Sequence, residues 1–175
     1  MVGRHRIILI AAVDDNWAIG KNNQLLYKIP LDMEHFRGLT EGNIIVYGFN
    51  TLLSFPQRKI LPDRDNIILT SKSIACGDDK MYVAHSIDDV VRIISEIDDC
   101  RHVFICGGSS VYKQFLKIAD WAYITKIHAT TDDADAYFPN LDMEYHWRQS
   151  HQYGPFKDEE SGLMIEFTGY LNKEG

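Results

Sequence analysis

The positions from which this sequence can do chemistry are two strand-to-helix junctions and one carboxylate. Gly107-Gly108-Ser109-Ser110 directly follows a run of branched apolar residues and directly precedes a helical stretch. Adjacent glycines let the backbone approach a ligand, and a starting helix offers unpaired N–H groups to a phosphate. The pattern is not GxGxxG, so a standard dinucleotide fold is not indicated, and a tight turn without a ligand reads equally well. Gly48-Phe49-Asn50-Thr51 stands at a second junction of this kind, where Asn50 or Thr51 can cap the helix. Taken singly, a cap is the stronger reading there. Two such junctions in one sheet point to the phosphates of a dinucleotide.

Asp32 follows Pro30 at the opening of a helix, where N-capping alone would explain it. Phe36 lies one turn on, on the same helical face, with Leu39 a further turn along. A carboxylate beside an aromatic ring on an inward face can read a flat heterocycle through its N–H groups. Burial would raise its pKa, as a proton-handling group requires. Trp17-Ala18-Ile19-Gly20 and the polar Lys21-Asn22-Asn23-Gln24 form either a lid over a site or a loop with buried anchors. Arg64 and Lys72 flank a strand, a place where charges are more often solvated than ligating. The histidines lack metal-ligand spacing, and neither a GxSxG elbow nor a placed nucleophilic cysteine occurs.

The elements that must hold these residues are legible as apolar runs. Ile7 to Val13 is continuous rather than alternating, which suggests a strand buried on both faces. Asn43 to Tyr47, Asn66 to Thr70 and His102 to Cys106 read the same way, and Tyr123 to Ile127 is a further strand. Helical patterns span Asp32 to Leu39, Thr51 to Phe55, Ile87 to Ile97 and Ser110 to Ala119. The third is preceded by Ser86 and carries Asp88 and Asp89 in its first turn, an N-cap followed by acids. Strands joined by helices give an α/β fold with a mostly parallel sheet covered on both faces. Trp147 to Tyr153 and Met164 to Leu171 flank the acidic stretch Lys157 to Gly162, which predicts a C-terminal antiparallel hairpin and hence a mixed sheet. Ligands are expected at the carboxyl ends of the parallel strands.

The 175 residues suit a single domain, 1–175, with 45% hydrophobic and 25% charged residues. A net charge of -7, scattered along the chain, leaves no basic stripe for a nucleic-acid backbone. The apolar runs are too short to span a bilayer. Arg4 and Arg6 precede an apolar run in the manner of a signal peptide. That run ends in Asp14-Asp15 without a small-residue cleavage site, so a first strand is expected instead. Cys76, Cys100 and Cys106 have no paired spacing, which suits a reducing cytoplasm.

In order and spacing, the set resembles the dihydrofolate reductase family from about Ile7 to Pro139. The residues that carry the likeness begin with Ile10-Ala11-Ala12, Trp17-Ala18-Ile19-Gly20, Ile29-Pro30-Leu31-Asp32-Met33 with Phe36, and Gly48 with Thr51. Leu61-Pro62 with Arg64, Asn66 to Ser71, Cys106-Gly107-Gly108 with Val111-Tyr112, and Asp135 with Phe138-Pro139 complete it.

The resemblance implies hydride transfer from NADPH to dihydrofolate, giving tetrahydrofolate, with the nicotinamide facing the pterin. Asp32 matches the pocket carboxylate that holds the pterin, Thr125 the residue that orients it, and Tyr27 a position beside it usually held by tryptophan. Ile10, Ala12, Met33, Phe36, Phe55, Leu61 and Cys106 match the substrate wall, and Arg64 the arginine that grips the glutamate tail. Ala12, Ile19, Gly20, Gly48, Asn50, Thr51, Thr70, Ser71, Lys72 and the run Gly107, Gly108, Ser109, Ser110, Val111 and Tyr112 match the NADPH groove, with a cis Gly107–Gly108 peptide. Asp135 matches an acid that bonds the closed lid. Phe49 and Ser110 stand where many members carry phosphate-binding arginines, and Ser109 replaces a third glycine. The implied chain is a cytoplasmic monomer that binds dihydrofolate and antifolate inhibitors, without nucleic acid, membrane or metal. Left open are a reductase of another pterin-like or pyrimidine substrate, and a non-catalytic folate- or nucleotide-binding protein.

Overall fold

A computed structural model describes residues 5–97 and 100–174, so Arg4 and the ends of the expected 1–175 domain lie outside the described residues. In chain order the first half contains β1 (Ile7–Val13), β2 (Ala18–Lys21), β3 (Gln24–Leu25), α1 (Pro30–Thr40), β4 (Ile44–Gly48), α2 (Phe49–Ser54), β5 (Asp65–Leu69) and β6 (Met81–Ala84). The second half contains α3 (Ile87–Glu96), β7 (Val103–Ile105), α4 (Ser109–Phe115), β8 (Trp121–Ile127), β9 (Ala136–Tyr137), β10 (Trp147–Lys157) and β11 (Met164–Asn172). Eight strands form one sheet in the order β10-β11-β8-β1-β7-β4-β5-β6, and β3-β2-β9 form a small second sheet. In the large sheet only β10 and β11 run antiparallel to their neighbours.

β1 lies between β7 and β8, which accounts for its unbroken apolar run. Ile7 and Leu9 face one core with Val103, Ile105 and the α3 residues Val90, Ile93 and Ile94. Ile8 and Ile10 face the other with Ile45, Tyr47 and Phe104, covered by Phe36 and Leu39 of α1 and Leu52 of α2. β4 and β7 likewise bury both faces, and their carboxyl ends lead into the starts of α2 and α4.

Three helix boundaries differ from the sequence reading. Asp32 is not a cap: α1 has Ile29 at its N-cap and Pro30 inside its first turn, because the fixed φ of proline suits that position. Neither Asn50 nor Thr51 caps α2; Gly48 stands at that N-cap, which frees both side chains. α4 ends at Phe115 rather than Ala119. β10 continues past Tyr153 to Lys157, crossing Pro155 with a register break between Tyr153 and Phe156. An outermost strand tolerates proline at such a bulge. β6 and the small sheet are elements the sequence reading lacks. β2 and β3 are joined by Asn22 and Asn23 at φ 52° and 60°, a two-residue turn that asparagine tolerates. Among the described residues no helix is long and apolar enough to cross a membrane.

α3 begins as its sequence predicts, with Ser86 Oγ accepting the Asp89 N–H at 3.1 Å. Ser86→Ala is therefore expected to cost about 1 kcal/mol, lowering Tm by about 2–4 °C with turnover unchanged. Thermal unfolding followed by circular dichroism checks this.

Candidate active site

A groove of about 610 Å³ opens where β1, β4, β5 and β7 end, at the starts of α2 and α4. Its walls gather Ala12, Ile19, Gly20, Gly48, Asn50, Thr51, Thr70, Ser71 and Lys72 with the run Gly107, Gly108, Ser109, Ser110, Val111 and Tyr112. The two junctions are joined directly, the Gly48 N–H donating to the Gly107 carbonyl at 2.9 Å. The Gly107–Gly108 peptide is cis. Gly107 has φ +115°, and a Cβ there would stand 3.4 Å from the Tyr112 hydroxyl and 3.5 Å from Thr51 Oγ1. Tyr112 donates its hydroxyl to the Ile10 carbonyl at 2.7 Å. Burial, with Cys106 and Asp32 nearby, pushes that phenol far above its ordinary pKa, so it remains a donor.

At the far end of the groove the Lys72 ammonium lies 4.4 Å from the centre of the Phe49 ring. The ring holds the cation by its π face. His85, which also lines the groove, bonds the Thr70 carbonyl through Nδ1 at 2.7 Å. A carbonyl only accepts, so Nδ1 carries the proton and Nε2 is left for another partner. His85 is absent from the sequence reading because it follows β6, the strand that reading lacks.

One strand from the groove, the Thr125 hydroxyl donates to Asp32 Oδ1 at 2.6 Å. Thr125 is 4% exposed on β8 and pairs with Ala12 of β1, itself in the groove wall. Burial raises the Asp32 pKa, and the Thr125 bond opposes that rise. Phe36 packs into the apolar cluster beneath α1, together with Phe55, Leu61 and Cys106. Phe55 meets the Tyr47 ring edge-on at 4.8 Å. Burial pushes the Cys106 thiol up, which keeps it protonated. Met33 is half-exposed on α1.

Arg64 is only 6% exposed, its Nε donating to Thr40 Oγ1 at 2.9 Å and its Nη1 to the Pro62 carbonyl. That guanidinium is an oriented group rather than a solvated one. Arg64 and Leu61 also line a second recess, separate from the groove. Tyr27 donates its hydroxyl to the Thr130 carbonyl at 3.2 Å and contacts the Thr131 hydroxyl at 2.8 Å. Its single proton is therefore committed to that loop.

The segment from Trp17 to Gln24 is fastened by carboxylates. Asp14, buried and not among the expected site residues, accepts N–H bonds from Asn16 and Ala18 at 2.9 Å and from Thr131 at 3.0 Å. The Asn22 N–H donates to Asp135 Oδ2 at 2.9 Å, and Lys21 pairs with Asp133. β2 and β9 complete the seam through Ala18–Tyr137 and Gly20–Ala136.

The dihydrofolate reductase family model matches residues 6–172. The chain belongs to the dihydrofolate reductase family. A dihydrofolate reductase of Bacillus subtilis (strain 168) is 34% identical over 170 residues, covering 95% of each chain. One of Staphylococcus haemolyticus is 34% identical over 166 residues, covering 94% of this chain and 95% of that one. The Enterococcus faecalis dihydrofolate reductase, solved with NADP(H) and RAB-propyl, superposes with TM-score 0.84 at 27% identity, over 95% of this chain and 96% of that one. The chain is an NADPH-dependent oxidoreductase that reduces dihydrofolate, in a family that binds dihydrofolate and antifolate inhibitors.

Gly107→Ala places a side chain at φ +115° against Tyr112 and Thr51. It is expected to cost about 1–3 kcal/mol and to weaken NADPH binding more than dihydrofolate binding. Urea unfolding and separate titrations of the two ligands measure these effects.

Proposed function

We propose that Asp32 is the carboxylate that governs the proton balance of dihydrofolate reduction, and that the groove is the NADPH site. The observation that carries this is the 2.6 Å Thr125–Asp32 bond, made on the strand beside the groove wall. NADPH, when bound, supplies the hydride. Gly107 to Tyr112 with Gly48, Asn50 and Thr51 cradle it, and Thr70, Ser71 and Lys72 receive its 2′-phosphate. Asp32 accepts N–H bonds from the pterin and sets its tautomer, while a water carries the proton to N5. Phe36, Ile10, Ala12, Met33, Phe55, Leu61 and Cys106 wall the substrate, and Arg64 takes the carboxylate of its tail. Tyr27 acts through the Thr130–Thr131 loop that it holds. Lid closure removes water and strengthens the Asp32 field.

The functional unit we propose is one domain acting as a cytoplasmic monomer. The strands that end at the groove and Thr125, which bonds Asp32 of α1, belong to one sheet, and free Cys76, Cys100 and Cys106 suit a reducing compartment. A net charge of -7 disfavours nucleic acid and anionic membrane surfaces.

Asp32→Asn is expected to abolish most turnover in a folded enzyme; full turnover would remove Asp32 from the chemistry. Stability is expected to move the other way. The folded pKa of Asp32 lies above its unfolded value, so the folded state holds the proton between the two, and stability falls as pH rises through that interval. Asp32→Asn removes that loss. The variant should be at least as stable as the parent at neutral pH, with the gap closing once pH falls below the ordinary carboxylate range. Denaturant titrations at several pH values test this.

Lys72→Ala is expected to lower kcat/KM with NADPH by about 10- to 100-fold while leaving NADH nearly unchanged. Equal loss with both nucleotides would place Lys72 outside the 2′-phosphate site.

A further inference from the structure

α1 begins without a local cap. Ile29 at the N-cap has no side-chain acceptor, and Pro30 has no N–H to offer. The first N–H of the helix, that of Leu31, is accepted by Asp158 Oδ1 at 3.0 Å, from a residue 127 positions away. Asp158 opens the turn between β10 and β11 and is 4% exposed. The turn is closed on itself: Asp158 Oδ2 accepts the Ser161 N–H at 2.7 Å, the Asp158 N–H donates to the Leu163 carbonyl at 2.9 Å, and the Gly162 N–H donates to the Asp158 carbonyl at 2.8 Å. Ile29 and Leu31 of the helix start share one apolar cluster with Leu163, Ile165 and Phe167 of the hairpin.

Phe167 in turn pairs with Thr125, whose hydroxyl holds Asp32. The hairpin therefore grips Asp32 twice. It supports the strand that bonds the Asp32 side chain, and its turn bonds the backbone of the residue directly before Asp32. We propose that Asp158 is a positioning residue for the Asp32 carboxylate, fixing the first turn of α1 against the β10–β11 turn so that the Thr125–Asp32 bond keeps its length and direction. This rests on the reading of Asp32 as the proton-governing carboxylate. Bonds from Ser161, hydroxyl first and N–H next, together with the Leu31 N–H, hold the Asp158 carboxyl below its usual pKa, so it serves as an ionised acceptor through the neutral range.

The test compares Asp158→Ala, Asp158→Asn, Asp32→Asn and the Asp32→Asn/Asp158→Ala double variant, each as full-length enzyme with NADPH and dihydrofolate. Asp158→Ala is expected to lower kcat by about 10- to 100-fold, with the KM for NADPH unmoved. The midpoint of the pH–rate profile should rise as the Thr125 bond loosens, Tyr112 being the other titratable group that senses Asp32. Asp158→Asn keeps an acceptor for Leu31 and should recover most of the loss. In the double variant Asp158→Ala should cost nothing beyond Asp32→Asn, because a residue acting through Asp32 has nothing left to position. Additive losses, an unmoved pH profile, or equal damage to NADPH binding would overturn the proposal. If Asp158→Ala does not fold, Asp158→Glu, which displaces the acceptor by one carbon, takes its place with the same expectations. Full turnover by Asp32→Asn would sink the Asp32 reading itself. An inactive Asp32→Asn beside an unaffected Asp158→Ala would sink only the positioning role.

Discussion

A carboxylate placed in an apolar cleft loses most of its hydration, and it keeps a defined position only if some group bonds it there. In this protein that group is the hydroxyl of Thr125. Threonine is rigid at χ1, so its hydroxyl is aimed by the backbone that carries it. That backbone is β8, bonded to β1 on one side and to β11 on the other. The antiparallel hairpin at the end of the chain is thus more than an edge to the sheet. Without β11, β8 would be an exposed strand, and the one hydrogen bond that orients Asp32 would hang from a mobile support.

The lid depends on a related arrangement at lower cost in ordering. Asp14 and Asp135 accept backbone N–H groups of the segment that carries Ile19 and Gly20, so the lid is fixed by a few polar bonds at its base and tip. Trp17 anchors it in the core, stacked with Phe138 at 6.1 Å, beside the buried Ala18 and with Ile19 packed against the same cluster. The Thr130–Thr131 stretch links that lid to Tyr27, through the Asp14 carboxylate and the Tyr27 hydroxyl. The base of that segment and Tyr27 therefore share one loop.

Much of this was legible because local chemistry and final structure agree. The unbroken run Ile7–Val13 is the pattern of a strand covered on both faces, and the Ser86 cap of α3 rests on atoms three residues apart. Asp32 misled as a cap because a local rule finds the nearest acceptor. The acceptor that α1 uses comes from Asp158, which no local pattern connects to Leu31. His85 is hidden for the same reason, since its partner Thr70 is brought near by the paired β5 and β6; Asp14 bonds Asn16 and Ala18 locally, but its bond to Thr131 spans 117 positions. β6, β3 and β9 are too short to show a period. They exist because a neighbouring strand offers them hydrogen bonds.

In the NADPH site we propose, the end of the groove at Phe49 and Lys72 offers a phosphate a charge without a directed fork. A cationic fork on the first turn of α2 would read a phosphate bidentately. Here that position is Phe49, and Lys72, beyond β5, rests its ammonium on the Phe49 ring at 4.4 Å. The aromatic ring reduces the freedom of the lysine stem without neutralising its ammonium. A point charge so held attracts a dianionic group from any direction, whereas a guanidinium demands one geometry. In the site we propose, selection between the two nicotinamide cofactors rests on charge rather than on directed hydrogen bonds. Charge is the part of such a contact most weakened by salt, so this groove's preference for the phosphorylated cofactor should be more salt-sensitive than that of a site built on arginine.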